Sequence, residues 1–106
     1  MLFELRQYKI RPGRMDDWVR LMEEEIIPFQ VARGMVILGS FRGERDPDTY
    51  VWIRRFADEN ERARLYADVY QSDHWRENIA GPVDEMLIRE EVKVTRLTPT
   101  PKSPIQ

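Results

Sequence analysis

Hydrophobic and polar residues alternate over the first ten positions. Phe3, Leu5, Gln7 and Lys9 fall on one side, and Leu2, Glu4, Arg6, Tyr8 and Ile10 on the other. A period of two predicts a β-strand, and Pro12-Gly13 stops it. From Arg14 the period changes. Met15, Trp18, Met22, Ile26 and Phe29 recur every three or four residues, which predicts a helix over 14–33 with one apolar stripe. Asp16 and Asp17 suit its positive N-terminal end, and Gly34 is a plausible C-terminal stop. Pro28 lacks a backbone donor and predicts a kink or break.

The second half repeats these signals. Met35 to Gly43 reads as a strand, Asp46-Pro47-Asp48 as a turn, and Tyr50 to Phe56 as an aromatic and β-branched strand, together a hairpin. Asp58 followed by Glu61 forms a capping-box pattern for a helix in which Ala63, Tyr66 and Tyr70 share a face. Ser72-Asp73 caps a further short helix carrying Trp75 and Ile79, which Gly81-Pro82 is expected to break. The segment 83–87 is ambiguous, and Ile88 to Leu97 reads as the last strand. The order β-α-β-β-α-(α)-β fits a ferredoxin-like α+β fold, a four-stranded antiparallel sheet with helices on one face. One domain spans residues 1–97, and the Pro-rich tail 98–106 is expected to be extended or mobile.

In such a fold the sheet face away from the helices should be polar. Here neither face is. Strict alternation sets Met35, Ile37 and Phe41 against Val36 and Leu38, and Tyr50, Trp52 and Phe56 against Val51 and Ile53. Burying one such side chain stabilises by about 1.5–3 kcal/mol, so an open apolar face calls for a cover. The simplest cover is a second copy, giving a homodimer. The alternative is a monomer covered by the tail or by segment 83–87.

Composition narrows the function classes. The chain has 106 residues, 34% of them charged, a net charge of −2, no cysteine and one histidine. Disulfides, thiolate catalysis and zinc–thiolate sites are excluded. The charge offers no footprint for nucleic acid, no apolar run is long enough to insert in a membrane, and no metal-ligand spacing or phosphate loop is visible. The charged N-terminus does not read as an export signal, so a cytoplasmic location is expected.

Glu4, Arg6 and Tyr8 lie on one face of a strand that is central in this topology. Buried polar groups must find partners. As catalytic groups, Arg6 would grip a carboxylate or enolate oxygen, Glu4 would orient it, and Tyr8 would donate a proton or hydrogen bond. As structural groups, Glu4 and Arg6 would pair across an interface under the Tyr8 hydroxyl. Tyr50, Trp52 and Arg54 share a strand face and offer an aromatic floor with a cationic rim for a planar anion. The structural alternative is core aromatics with a snorkelling arginine. Trp18 would wall a cavity between helix and sheet, or simply fill the core. His74 is either a general base or a surface residue in the first turn of a helix.

Glu4-Leu5-Arg6-Gln7-Tyr8, Pro12-Gly13, Gly39-Ser40-Phe41, Trp52 and Asp73-His74-Trp75, in that order, resemble the NIPSNAP domain over nearly the whole chain. Phe41 departs from a tryptophan common at that place in the family. The resemblance implies a dimeric α+β barrel, in which two ferredoxin-like sheets close on each other. The superfamily it implies includes cofactor-independent monooxygenases, isomerases, decarboxylases, haem enzymes and proteins of no known activity, so it narrows fold more than chemistry. Two function classes follow. One is a small-molecule-binding protein acting as an enzyme without organic cofactor on a planar or carboxylated substrate. The other is a non-catalytic dimeric binding or scaffold module.

Overall fold

The computed structural model describes all 106 residues. Strand β1 spans Leu2–Lys9. Helix α1 (15–32) joins an α segment Met15–Leu21, a π-helical stretch Met22–Ile26 and an α segment Ile27–Ala32. The hairpin strands are β2, Val36–Arg42, and β3, Thr49–Phe56. Helix α2 spans Glu59–Tyr70. Helix α3 (75–86) joins a π-helical stretch Trp75–Ile79 to an α segment Ala80–Met86. A 3-10 turn, Arg89–Glu91, leads into β4, Lys93–Leu97. The sheet order is β2-β3-β1-β4, antiparallel throughout. This is the expected ferredoxin-like arrangement, with β1 and β3 in the centre. No helix is long and apolar enough to cross a membrane.

Local chemistry explains most element ends. Gly34 turns the chain after α1 at φ +107°, a conformation that side chains with a Cβ disfavour. The Asp58 carboxylate accepts from Glu61 N at 2.8 Å, so Asp58 caps the helix as expected, while Glu61 Oε1 accepts from Ala57 N at 3.1 Å, one residue before the cap rather than from the cap's own N–H as in a regular capping box. Ser72 Oγ accepts from Trp75 N at 3.1 Å and starts α3. In the hairpin loop Asp46 Oδ1 accepts from Asp48 N at 3.0 Å.

Four expectations need correction. Pro28 does not break α1. It is the second residue of the segment that follows the π stretch, near a segment start where proline is tolerated. Gly81-Pro82 does not break α3 either; Pro82 falls in the first turn of an α segment that runs to Met86. Segment 83–87 is therefore mostly helical, and Val83, Met86 and Leu87 join the main core rather than covering the open face. The last strand is short, because a 3-10 turn occupies its expected start.

The fourth correction concerns β2. Its pairing with β3 slips between Ile37 and Gly39, the mark of a β-bulge. Ile37 pairs with Arg54, but Phe41 pairs with Val51. One inserted residue reverses the alternation, so Phe41 leaves Ile37's face and joins Val36 on the open one. A Cβ placed on Gly39 would meet the Phe41 ring at 2.5 Å, so that ring lies over the glycine.

The core lies between the sheet and the helices. Tyr8, Trp18, Met22, Ile26, Tyr50, Trp52 and Ile79 belong to its main cluster; Met35, Phe56, Leu65 and Val69 form a second. On the opposite face the tail folds back. Arg55 Nη1 donates to the Gln106 carbonyl at 2.7 Å. Thr98, Pro99, Ser103 and Ile105 line a groove with Phe3, Leu38 and Ile53. This buries Phe3 but leaves Phe41 55% exposed, Leu97 43%, and Val36 and Leu38 37% each.

Candidate functional site

Alternation on β1 and β3 aims a polar set into the space beneath the helices. The register sets Glu4 opposite Arg54, Arg6 opposite Trp52, and Tyr8 opposite Tyr50. Glu4 and Arg54 are fully buried. Arg54 Nη2 donates to Glu4 Oε1 at 2.8 Å and to the Tyr66 hydroxyl at 2.8 Å. Its Nη1 donates to Gln30 Oε1 at 2.9 Å and to the Tyr70 hydroxyl at 2.7 Å. Its guanidinium carbon sits 4.6 Å from the Trp52 ring centre and 5.1 Å from that of Tyr66, within cation–π range. From α2, Arg62 Nε donates to Glu4 Oε2 at 2.6 Å. The Tyr66 hydroxyl lies 2.8 and 2.6 Å from the two Glu4 oxygens and donates there.

Protonation follows from this packing. Burial pushes the Glu4 carboxyl up, but Arg54, Tyr66 and Arg62 more than reverse that and hold it below the usual range. Burial opposes the charge of Arg54, and contacts with Tyr70, Tyr66 and Glu4 outweigh it and raise its pKa. Burial pushes the Tyr66 phenol up to about 12, so it stays neutral at ordinary pH. The site thus holds an ionised carboxylate, charged guanidiniums and a neutral phenol.

Beside this network lies a cavity of about 370 Å³. Its lining comprises Arg6, Tyr8, Trp18, Met22, Ile26, Trp52, Tyr66, Tyr70, Trp75, Val83, Leu87, Arg89 and Val92. Arg6 Nε donates to the Tyr8 hydroxyl at 2.7 Å and Nη1 to that of Tyr66 at 3.2 Å. Burial opposes the Arg6 charge, and the Tyr8 oxygen restores it. Arg6 Nη2 makes no hydrogen bond within the protein, and Tyr8, which accepts from Arg6, keeps its own proton to donate. Trp18 and Trp52 both have a buried indole N–H with no partner. Such donors each cost about 1–3 kcal/mol when left unmet. No carboxylate, imidazole or aliphatic hydroxyl lines the cavity. Its polar groups are guanidinium and phenol.

Of the residues singled out from sequence, Arg6, Tyr8, Trp18 and Trp52 line this cavity. Glu4, Tyr50 and Arg54 do not. Glu4 and Arg54 lie beneath the cavity floor as each other's counter-ions, and the Tyr50 hydroxyl bonds that of Ser40 at 2.5 Å. The Glu4–Arg6 pair is secondary, at 3.8 Å. Glu4's nearer partners come from β3 and α2 of the same chain. His74 is exposed, with Nδ1 3.2 Å from Asn78 Nδ2, and is not in the lining. Phe41 lies on the opposite face of the sheet. Sequence reasoning did not assign Tyr66, Tyr70 or Arg89 to the site. The four-residue spacing of the two tyrosines was a usable signal; nothing marked Arg89.

The sheet order, the helices on one face and the aromatic cavity between them define a ferredoxin-like α+β protein. The NIPSNAP family pattern matches residues 3–104, and the chain belongs to that family. It is similar to a NIPSNAP family protein from Agrobacterium tumefaciens, at 25% identity and TM-score 0.86, over 99% of this chain and 98% of that one. A second protein from the same organism, a NIPSNAP family protein with unknown function, gives 22% identity and TM-score 0.88 over 100% and 94% of the two chains. An antibiotic biosynthesis monooxygenase shares the fold at 19% identity and TM-score 0.70, over 95% and 100%. No functionally curated protein shows significant similarity to the chain.

Proposed function

We propose that the protein binds a small planar organic anion, an aromatic or enolic acid, in the cavity beside Arg6, and that it does so as a homodimer. The observation that carries the reading is the half-buried Arg6 guanidinium, whose Nη2 makes no hydrogen bond within the protein, beside the Tyr8 phenol in a cavity lined mainly by aromatic and aliphatic side chains and by no carboxylate. A flat apolar body fits among the aromatic rings. An acceptor oxygen answers Arg6 Nη2 and the Tyr8 hydroxyl, and a negative charge answers the guanidinium.

The same geometry suits stabilisation of a developing oxyanion by Arg6 with a hydrogen bond from Tyr8. An isomerase-like enolisation would use that for its enolate oxygen, with water taking the proton, and a monooxygenase-like reaction would add dioxygen as co-substrate, one atom entering the product and the other leaving as water with two substrate hydrogens. The lining offers no strong base, since the Tyr66 phenol is held neutral. A substrate that is already an anion, or acidic enough to become one, suits it best. That shortage of bases equally supports a non-catalytic binding module as the second reading.

A thermal-shift titration with 1-naphthoate and 1-hydroxy-2-naphthoate tests binding. The wild type should gain stability as ligand is added, and Arg6→Ala should keep its oligomeric state and lose the gain. Equal shifts in both proteins, or none in the wild type, would contradict the reading.

A further inference from the structure

Two guanidiniums line the cavity, and they differ in setting. The Arg6 side chain is 18% exposed and bound to Tyr8 and Tyr66, on the central strand. The Arg89 side chain is 62% exposed, on the 3-10 turn between α3 and β4. One marks the inner part of the cavity and the other its rim.

The base of Arg89 is fixed. Ile88 N donates to the Lys9 carbonyl at 3.0 Å, and Leu87 bridges to Ile10, so the turn is tied to the end of β1. Its head is held only by Asp84. Arg89 Nε and Nη2 donate to Asp84 Oδ1 at 2.9 and 2.5 Å, and Asp84 is itself 60% exposed. Exposed ion pairs of this kind are weak, because water and salt screen both charges. Exchanging Asp84 for another carboxylate would therefore cost little. No acidic side chain lines the cavity to compete.

We propose that Arg89 is a specificity-determining entrance residue. It leaves Asp84 to take a second acid group on the ligand, so that the preferred ligand is a planar acid with two acid groups, one at Arg6 and one at the rim. This rests on the reading of the cavity as an organic-anion site and narrows its ligand class. Two guanidiniums, one inner and one exposed, in a single aromatic-lined cavity match a flat molecule with two anionic groups better than one with a single charge.

Calorimetric titration of 1-naphthoate and of 1,5- and 2,6-naphthalenedicarboxylate separates the possibilities. At least one dicarboxylate should bind the wild type about tenfold more tightly than the monocarboxylate. Arg89→Gln should remove that preference, weakening the dicarboxylate about tenfold and the monocarboxylate by much less. Asp84→Asn, which frees Arg89 from its competitor, should tighten the dicarboxylate severalfold. Monocarboxylate binding with no dicarboxylate preference, or a preference that survives Arg89→Gln, overturns the role of Arg89 and leaves the anion site standing. Binding of neither class overturns both.

Discussion

Arg54 Nη2 and Glu4 Oε1 meet at 2.8 Å from positions opposite each other on β3 and β1, and water reaches neither residue. A buried pair of this kind is tolerable only when the remaining polar atoms are met. Here Gln30, Tyr66, Tyr70 and Arg62 meet nearly all of them; Arg54 Nε is the exception. The pair also fixes the cavity wall, because Tyr66 and Tyr70 hydrogen-bond Arg54 and Trp52 stacks beneath its guanidinium.

Arg54→Met should therefore destabilise the protein by about 3–5 kcal/mol, since it leaves a buried carboxylate short of its one fully buried guanidinium partner. That is a large share of the roughly 5–15 kcal/mol that holds a domain together. Urea unfolding measures it. A loss within 1 kcal/mol (on the order of a surface pair) would show that Arg62 and Tyr66 alone satisfy Glu4.

Stability should fall at both ends of the pH scale, for different reasons. Glu4 has a folded pKa below its unfolded value of 4.5, so its contribution is full above 4.5 and is lost as pH falls through the folded value. Glu4→Gln should flatten the acid limb. Tyr50 and Tyr66 are raised from 10 to about 12, both by burial first. The folded state holds those protons more tightly, so stability is full below 10 and declines between 10 and 12. Urea midpoints against pH, with ultraviolet titration of the phenols, report both limbs. An acid limb unchanged in Glu4→Gln would rule out that residue as its source.

Tyr66→Phe separates structure from binding. The phenol donates to Glu4 and accepts from both Arg54 and Arg6. Its loss should cost about 1–3 kcal/mol of stability. It should also weaken binding of 1-naphthoate several-fold, because Arg6 loses one of its two anchors. Unfolding and calorimetry on the same preparation give the two numbers, and unchanged affinity would show that Tyr8 alone positions Arg6.

The open face should be covered by a second copy. The tail reaches Phe3 but leaves Phe41, Val36, Leu38 and Leu97 partly in water. Phe41→Glu should shift a sedimentation profile from dimer toward monomer with little loss of helix signal. A wild type sedimenting only as the 12.7 kDa chain at micromolar concentration would oppose this.

The period of the sequence made the architecture legible, and what escaped it depended on single residues. Glu4, Arg6 and Tyr8 could be set on one face by alternation alone. Their partners could not, because Glu4 meets Tyr66 and Arg62 across about sixty positions of chain. Phe41 is misplaced by strict alternation because of one bulged residue, for which the isolated Gly39 inside the strand was the available signal. Pro28 and Pro82 looked like breaks because a π stretch ahead of each segment is invisible to a 3.6-residue period. Arg89 fell inside an expected strand, where a rim position could not be read.

The account rests on an organic anion lying against Arg6 among the aromatic rings of the cavity. A crystal structure of the protein soaked with 1-naphthoate tests this most directly. The predicted result is a carboxylate within hydrogen-bonding distance of Arg6 Nη2 and of the Tyr8 hydroxyl, with the rings stacked inside the cavity. A cavity that stays free of ligand at saturating concentration, or a ligand seated only in the groove beneath the tail, would contradict it.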